Sequence, residues 1–357
     1  MQKTLTVSEN EAAHAMAQHD ETICVGIDLG TSRSSISASN GERHVVDSYV
    51  GWPVDMVARK VIKKQVLIGG EALEKRSMLD LRRPLENGVI KDVSERDAHA
   101  VQELLRHLIS LIGIKNNGTQ HKLRAVVGVP AEAMQASRLR LRTAMDGIAD
   151  SVMLVSEPFA VAYGTEALLH AMVIDIGAGT ADICVMQGRY PTDDDQRTLP
   201  NAGDSIDQRL FSSLQEHHPQ AQFSIHTVRA WKEKWSFVGE PKRRVVVTTA
   251  ADGKPTEIDI TKDMRAACES IVAPISETVR DLVSRVEPEY QQGVLNNIIL
   301  AGGSSLIDGL PEALKSALSE LGKAQITLVQ DPVFAGSDGG LAIARDASDG
   351  DWEKLSL

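Results

Sequence analysis

The stretch Cys24-Val25-Gly26-Ile27-Asp28-Leu29-Gly30-Thr31-Ser32 has a later echo, Met172-Val173-Ile174-Asp175-Ile176-Gly177-Ala178-Gly179-Thr180. Each is an apolar run, one aspartate, and a glycine-containing turn that ends in hydroxyls. Short apolar runs bounded by turn signals read as buried strands. Glycine lets the backbone turn tightly and bring its N–H groups close to an anion. An aspartate at the strand end accepts hydrogen bonds only, so it repels a phosphate unless a cation lies between. Two such units facing each other would hold a magnesium nucleotide across a cleft.

At 357 residues the chain is long enough for two cores, and a hydrophobic fraction of 42% can fill them. No stretch is apolar enough to span a membrane. Residues 1–22 are polar, without the apolar centre of a secretory signal or of a membrane-binding helix, and read as a tail. A net charge of −11 argues against direct nucleic-acid binding. Cys24, Cys184 and Cys268 are far apart, which fits buried thiols in a reducing cytosol better than disulfides or zinc.

Along the chain, residues 34–39 read as the return strand of a hairpin and 44–50 as a further strand. A short strand at 66–70 precedes a helix from 71 to about 81. Helical spacing over 98–112 aligns Val101, Leu104, Leu105, Leu108, Leu111 and Ile112. Strands at 122–129 and 152–155 are each followed by a helix, 132–145 and 159 to about 169. Residues 182–187 close the second hairpin. A strand, hairpin and helix set thus occurs twice, which points to two similar α/β domains. Residues 190–196 read as a solvated run of charge. Asp204 reads as a helix N-cap, 227–238 as a helix, and 261 to about 286 as one long helix. Residues 297–305 form a third buried strand with a Gly-Gly turn, and 346–357 read as a polar tail.

These motifs carry a family resemblance. Gly26 to Ser32 resembles the first phosphate loop of the actin, Hsp70 and sugar-kinase superfamily, and Asp175 to Thr180 its second. Ala301-Gly302-Gly303-Ser304-Ser305 resembles its adenosine loop. Val228-Arg229-Ala230-Trp231-Lys232-Glu233-Lys234-Trp235 resembles the actin helix beside the ribose and adenine. Ser156-Glu157-Pro158-Phe159 resembles the bacterial-actin segment that carries the water-orienting carboxylate, and Pro84-Leu85-Glu86-Asn87-Gly88-Val89-Ile90 is similar to cell-shape actins. The motifs follow the family order across most of the chain. Its length, with no large insertion, favours a bacterial actin. Val50-Gly51-Trp52-Pro53, Leu79-Asp80-Leu81-Arg82 and Trp235-Ser236-Phe237-Val238-Gly239 are similar to the magnetosome-filament actins.

The resemblance implies an actin-like ATPase fold of class α/β. Two related domains of mixed sheet with flanking helices enclose a nucleotide cleft, and each carries a small subdomain insertion. The expected division is a tail at 1–22, domain IA at 23–42, 86–156 and 335–357, and subdomain IB at 43–85. Domain IIA takes 157–203 and 266–334, and subdomain IIB takes 204–265.

The expected cofactors are ATP or ADP with Mg2+. Magnesium keeps several waters and uses few carboxylates, which suits Asp28 and Asp175, bound through water. Gly30, Thr31, Ser32, Gly177, Ala178, Gly179 and Thr180 would cradle the β- and γ-phosphates. Glu157 is the candidate that orients the attacking water, with Asp175 and Thr180 completing the catalytic set. The resemblance places Lys232 and Glu233 at the base and ribose, Gly203 and Asp204 beside the second loop, and Gly302, Gly303 and Ser304 at the α-phosphate and adenosine. Trp52, Trp231 and Trp235 read as packing residues and His217-His218 as a surface pair.

The implied function is a cytoskeletal ATPase that assembles head to tail with ATP, as paired strands, and disassembles after hydrolysis. A heterologous contact that does not close gives such a filament, with the insertions as the longitudinal contacts. In the resembling family the filament positions magnetosomes through adaptor proteins, in the cytoplasm. The alternatives are a membrane-bound cell-shape actin, a plasmid-segregation actin and a small-molecule kinase.

Overall fold

A computed structural model describes residues 22–91, 94–113 and 121–355. The expected tail lies outside the described residues except for Thr22, which begins the first strand. Five strands form the first sheet, in the order Ser151–Ser156, Lys122–Val129, Thr22–Asp28, Arg33–Ala38 and Arg43–Asp47. The second sheet runs Gln196–Leu199, Ala181–Gln187, Leu169–Ile176, Ile298–Ala301 and Ile326–Leu328. Read from opposite ends, the two orders are the same. Each aspartate strand has a parallel neighbour on one side and its own antiparallel hairpin partner on the other.

The hairpins share one register. Asp28 pairs with Ser35 and Asp175 with Asp182, seven positions along in both cases. The turns therefore correspond residue by residue: Gly30 to Gly177, Thr31 to Ala178, Ser32 to Gly179, and Arg33 to Thr180. The apolar runs are buried apart from the half-buried Cys24, each large side chain contributing about 1.5–3 kcal/mol.

The first core lies between its sheet and the helix Glu95–Leu111, which inserts Val101, Leu104, Leu105 and Leu108. Ser94 caps that helix by accepting from the Asp97 amide. A third cluster joins the halves through two crossing helices. The Glu157–Gly164 helix leaves the first sheet and packs on the second hairpin, whereas Ala335–Asp346 leaves the second sheet and packs on the first. Only glycine permits their closest approach, because a Cβ on Gly339 would lie 1.8 Å from the Ala160 carbonyl.

Two small three-stranded sheets stand apart from the main ones. One is Leu67–Ile68, Val50–Pro53 and Leu79–Arg82; the other is Ala221–Gln222, Val246–Ala251 and Lys254–Asp259.

Several local expectations need correction. The helix expected from 71 to 81 stops after Gly70–Glu74, and Leu79–Arg82 becomes a strand. Pairing with Val50–Pro53 and burial of Leu79 beside Tyr49, Ile62 and Leu67 override its helical spacing. The helix expected from 261 to 286 breaks into Thr261–Glu269 and Val272–Ser284, because Pro274 cannot donate to the Ser270 carbonyl. Within the expected charge run, Asp195 is buried, accepting from Arg189, Gln187 and Thr192. The expected C-terminal tail contains the helix Asp349–Leu355, which buries Trp352 under the Arg124 guanidinium. The helix expected over 227–238 is Ile225–Trp235, capped by Ser224.

Candidate functional site

A cleft of about 420 Å³ opens between the two sheets, and every candidate nucleotide, metal or catalytic residue named from the sequence lines it. The walls come from the two hairpin turns, the Gly302–Ser304 turn, the start of the Gly203–His217 helix and the end of the Ile225–Trp235 helix. Their convergence follows from the topology, because both aspartate strands end at the same edge.

The turns are held from behind by their carbonyls. Gly30 O accepts from the Ser48 hydroxyl at 2.7 Å, and Thr31 O from Arg83 Nε at 2.8 Å. Gly177 O accepts from the Ser304 hydroxyl at 2.8 Å and the Gly203 amide at 3.2 Å, and Ala178 O from the Asp204 amide at 2.7 Å. Among the described residues, the amides of Thr31, Ser32, Ala178 and Gly179 have no acceptor. Two rigid turns with free amides, facing each other, form an anion cradle. They come so close that a Cβ on Gly179 would lie 2.4 Å from the Thr31 hydroxyl oxygen.

Three carboxyl groups, Asp28, Glu157 and Asp175, gather at the cleft floor, with a fourth, Asp182, buried beside them. Burial, then repulsion from Asp182, raises the Asp28 pKa from 3.8 to about 7. Burial also raises Asp182 to about 6, against hydrogen bonds from Thr198, Thr180 and the Ala131 amide. Burial first, then the neighbouring carboxylates, push Glu157 and Asp175 well above their usual range. Such a set fits a bound dication, which would relieve both burdens. Among the described residues, no three His, Cys, Asp or Glu side chains form a preformed metal cage. A Mg2+ held by few carboxylates plus phosphate oxygens and water requires none.

The structure changes the reading of several positions. Asp204 is not the helix N-cap, which is Ala202; its carboxylate sits between Arg83 and Arg229, 2.8 and 2.9 Å away. Lys232 is buried, donating to Gly203 O and pairing with Asp207, each at 2.7 Å. Glu233 reaches across the cleft to Arg33 at 2.8 Å. Sequence reasoning missed Asp182, although its place in the second hairpin mirrors Ser35. It also missed Arg33, Arg83, Arg229 and Asp207, whose partners are remote in sequence and left no local pattern. Trp231 and Trp235 pack against the second core and Trp52 against the first. His217 pairs with Asp263 at 2.6 Å.

Comparison with known proteins agrees with this geometry. The MreB/Mbl protein family profile matches residues 22–349. The actin-like protein MamK of Paramagnetospirillum magneticum is 38% identical over 338 residues, covering 95% of this chain and 96% of its own. A solved MamK double helical filament superposes with a TM-score of 0.89 at 38% identity, over 92% of this chain and all of its own. A non-polymerising MamK mutant bound to AMPPNP matches over the same share of each chain with a TM-score of 0.70. The chain belongs to the MreB/Mbl family and has the actin-like fold of MamK.

Proposed function

We propose that the chain is a cytoskeletal ATPase that assembles into filaments with Mg-ATP and loosens after hydrolysis. The observation that carries this reading is the pair of hairpin turns in one register, facing each other across a single cleft with a carboxylate behind each. In this reading Gly30–Ser32 and Gly177–Thr180 bind the β- and γ-phosphates, Gly302–Ser304 binds the α-phosphate and adenosine, and Lys232 and Glu233 border the base and ribose. Asp28 and Asp175 would hold Mg2+, whose charge would offset that of the phosphates and of the floor carboxylates.

Glu157 stands where the first-sheet strand passes into the crossover helix. Once ionised it orients the attacking water and accepts its proton, with Thr180 assisting. Because the two phosphate loops belong to different domains, loss of the γ-phosphate removes a bond between them and frees the crossing helices to rotate. We divide the domains as the sequence suggests, except that Arg43–Asp47, which pairs in the first sheet, goes to the first large domain.

The filament reading draws support from the named MamK filament and from an exposed apolar face on the first insertion. Val54, Met56, Val57 and Val61 are 55–75% exposed there, which suits a longitudinal contact with the next subunit. By the same likeness, the filament lies in the cytoplasm and positions magnetosomes through adaptor proteins.

The test is pelleting and phosphate release across a protein concentration series. Pelletable polymer above a critical concentration with ATP supports the reading. ATP turnover that depends on an added small-molecule acceptor, without polymer, refutes it.

A further inference from the structure

Arg83 lies between the strands Leu79–Arg82 and Leu85–Glu86, on the first wall of the cleft. Its Nε donates to the Thr31 carbonyl at 2.8 Å, and its Nη2 lies 2.8 Å from Asp204 Oδ2. The Asp204 amide in turn donates to the Ala178 carbonyl at 2.7 Å. One guanidinium and one carboxylate therefore join the backbone of the first phosphate loop to that of the second.

The second wall supports the same link. Arg229 Nη2 donates to Asp204 Oδ1 at 2.9 Å, and Arg229 Nη1 returns across the cleft to the Tyr49 hydroxyl at 3.0 Å. Asp207, 1% exposed, anchors Arg229 and Lys232 at 2.8 and 2.7 Å. The Arg83 and Asp204 side chains are 22% and 26% exposed, so solvent screens them less than it does a surface pair. The guanidinium thus spans two partners, a hydrogen bond from Nε to Thr31 and a close ion pair from Nη2 to Asp204. The chain of contacts that contains this ion pair ends at Thr31 on one side and at Ala178 on the other, one on each phosphate turn.

We propose that Arg83 is a positioning residue. Through Asp204, and braced by Arg229 and Tyr49, it sets the separation of the two phosphate loops before nucleotide arrives and slows nucleotide release afterwards. The inference rests on reading the cleft as a nucleotide site. It adds a latch that works without the γ-phosphate, so the cleft has two closures, one of protein charge and one of ligand. Opening the walls breaks the Arg83–Asp204 and Arg229–Tyr49 contacts together, and the loops then lose their fixed spacing.

The test uses the full chain with Arg83→Gln, Arg83→Lys, Asp204→Asn and the Gln/Asn double variant. Amide exchange is followed over residues 28–34 and 176–181 without nucleotide, and release of a fluorescent ATP analogue is followed with Mg2+. Arg83→Gln should speed exchange in both loops, leave the Glu95–Leu111 helix unchanged, and raise the release rate about tenfold. Arg83→Lys, keeping the charge without the Nε donor to Thr31, should fall between. Asp204→Asn added to Arg83→Gln should change release by less than about twofold, as expected for coupled partners. Wild-type exchange and release rates in Arg83→Gln overturn the latch. So do faster exchange everywhere, or independent effects of the two substitutions. If the wild type does not retain the analogue, the nucleotide reading fails, and loop exchange still decides whether the latch exists.

Discussion

The two hairpins share a register and differ in what fills it. Opposite Asp28 stands Ser35, a neutral hydroxyl that donates to Ser337 on the crossover helix at 2.9 Å. Opposite Asp175 stands Asp182, a second carboxylate, which accepts from the Ala131 amide at 3.1 Å and the Thr198 hydroxyl at 2.6 Å. Ala131 follows a first-sheet strand, so Asp182 ties the second hairpin to the opposite domain. The turns diverge too: Ser32 occupies the position that in the second hairpin must be Gly179. A duplicated frame has therefore been divided between tasks. The first hairpin is packed into its domain, whereas the second carries the extra charge and the tighter approach across the cleft. Glu157, at the end of a first-sheet strand, completes the asymmetry.

Chemistry should show the largest difference between the halves. Glu157→Gln is expected to slow phosphate release by about 10²-fold or more while leaving assembly with ATP near wild type. Unchanged release would remove Glu157 from the reaction. The turns come next. Gly179→Ala forces a Cβ against the Thr31 hydroxyl and should cost about 2 kcal/mol of nucleotide binding. Ser32→Ala, at the corresponding position, loses one hydroxyl donor, about 1 kcal/mol. Titration calorimetry would rank them, and equal losses would end the claim that the position held by Ser32 in the first turn is sterically closed only at Gly179 in the second.

The smallest effect is one of pH. Asp28 and Asp182, raised from 3.8 to about 7 and about 6, hold protons more tightly folded than unfolded between pH 4 and 7. Native protein then binds more protons than unfolded protein there, so stability falls as pH rises through that window. The nucleotide-free protein should melt at a lower temperature at pH 8 than at pH 5. Asp182→Asn should flatten the slope, and Ser35→Ala should leave it intact. A slope unaffected by Asp182→Asn would mean that burial does not raise Asp182 and that Asp182 does not raise Asp28.

Much of this frame was legible because it rests on local pattern. Asp28 and Asp175 each follow an apolar run and precede glycine, and that grammar placed both turns and both strands. Leu104 and Leu108 revealed the helix Glu95–Leu111 through spacing alone. What stayed hidden depends on contacts distant in sequence. Leu79–Arg82 has helical spacing but finds a strand partner at Val50–Pro53. Trp352 is one aromatic residue in a polar stretch, and only the fold supplies Arg124 beside it. Asp204 reads as an N-cap in the sequence, yet it lies inside the helix that Ala202 begins, and Arg83 and Arg229, 121 and 25 residues away, claim its carboxylate.

The central claim is that both halves close on one Mg-ATP and that closure licenses assembly. Electron microscopy of the purified chain with Mg-ATP, with Mg-ADP and without nucleotide tests it most directly, with Asp175→Ala as the control. The account predicts abundant filaments with Mg-ATP, few with Mg-ADP or none added, and few for Asp175→Ala under any condition. Filaments equally abundant in all three conditions, or with Asp175→Ala, would contradict it.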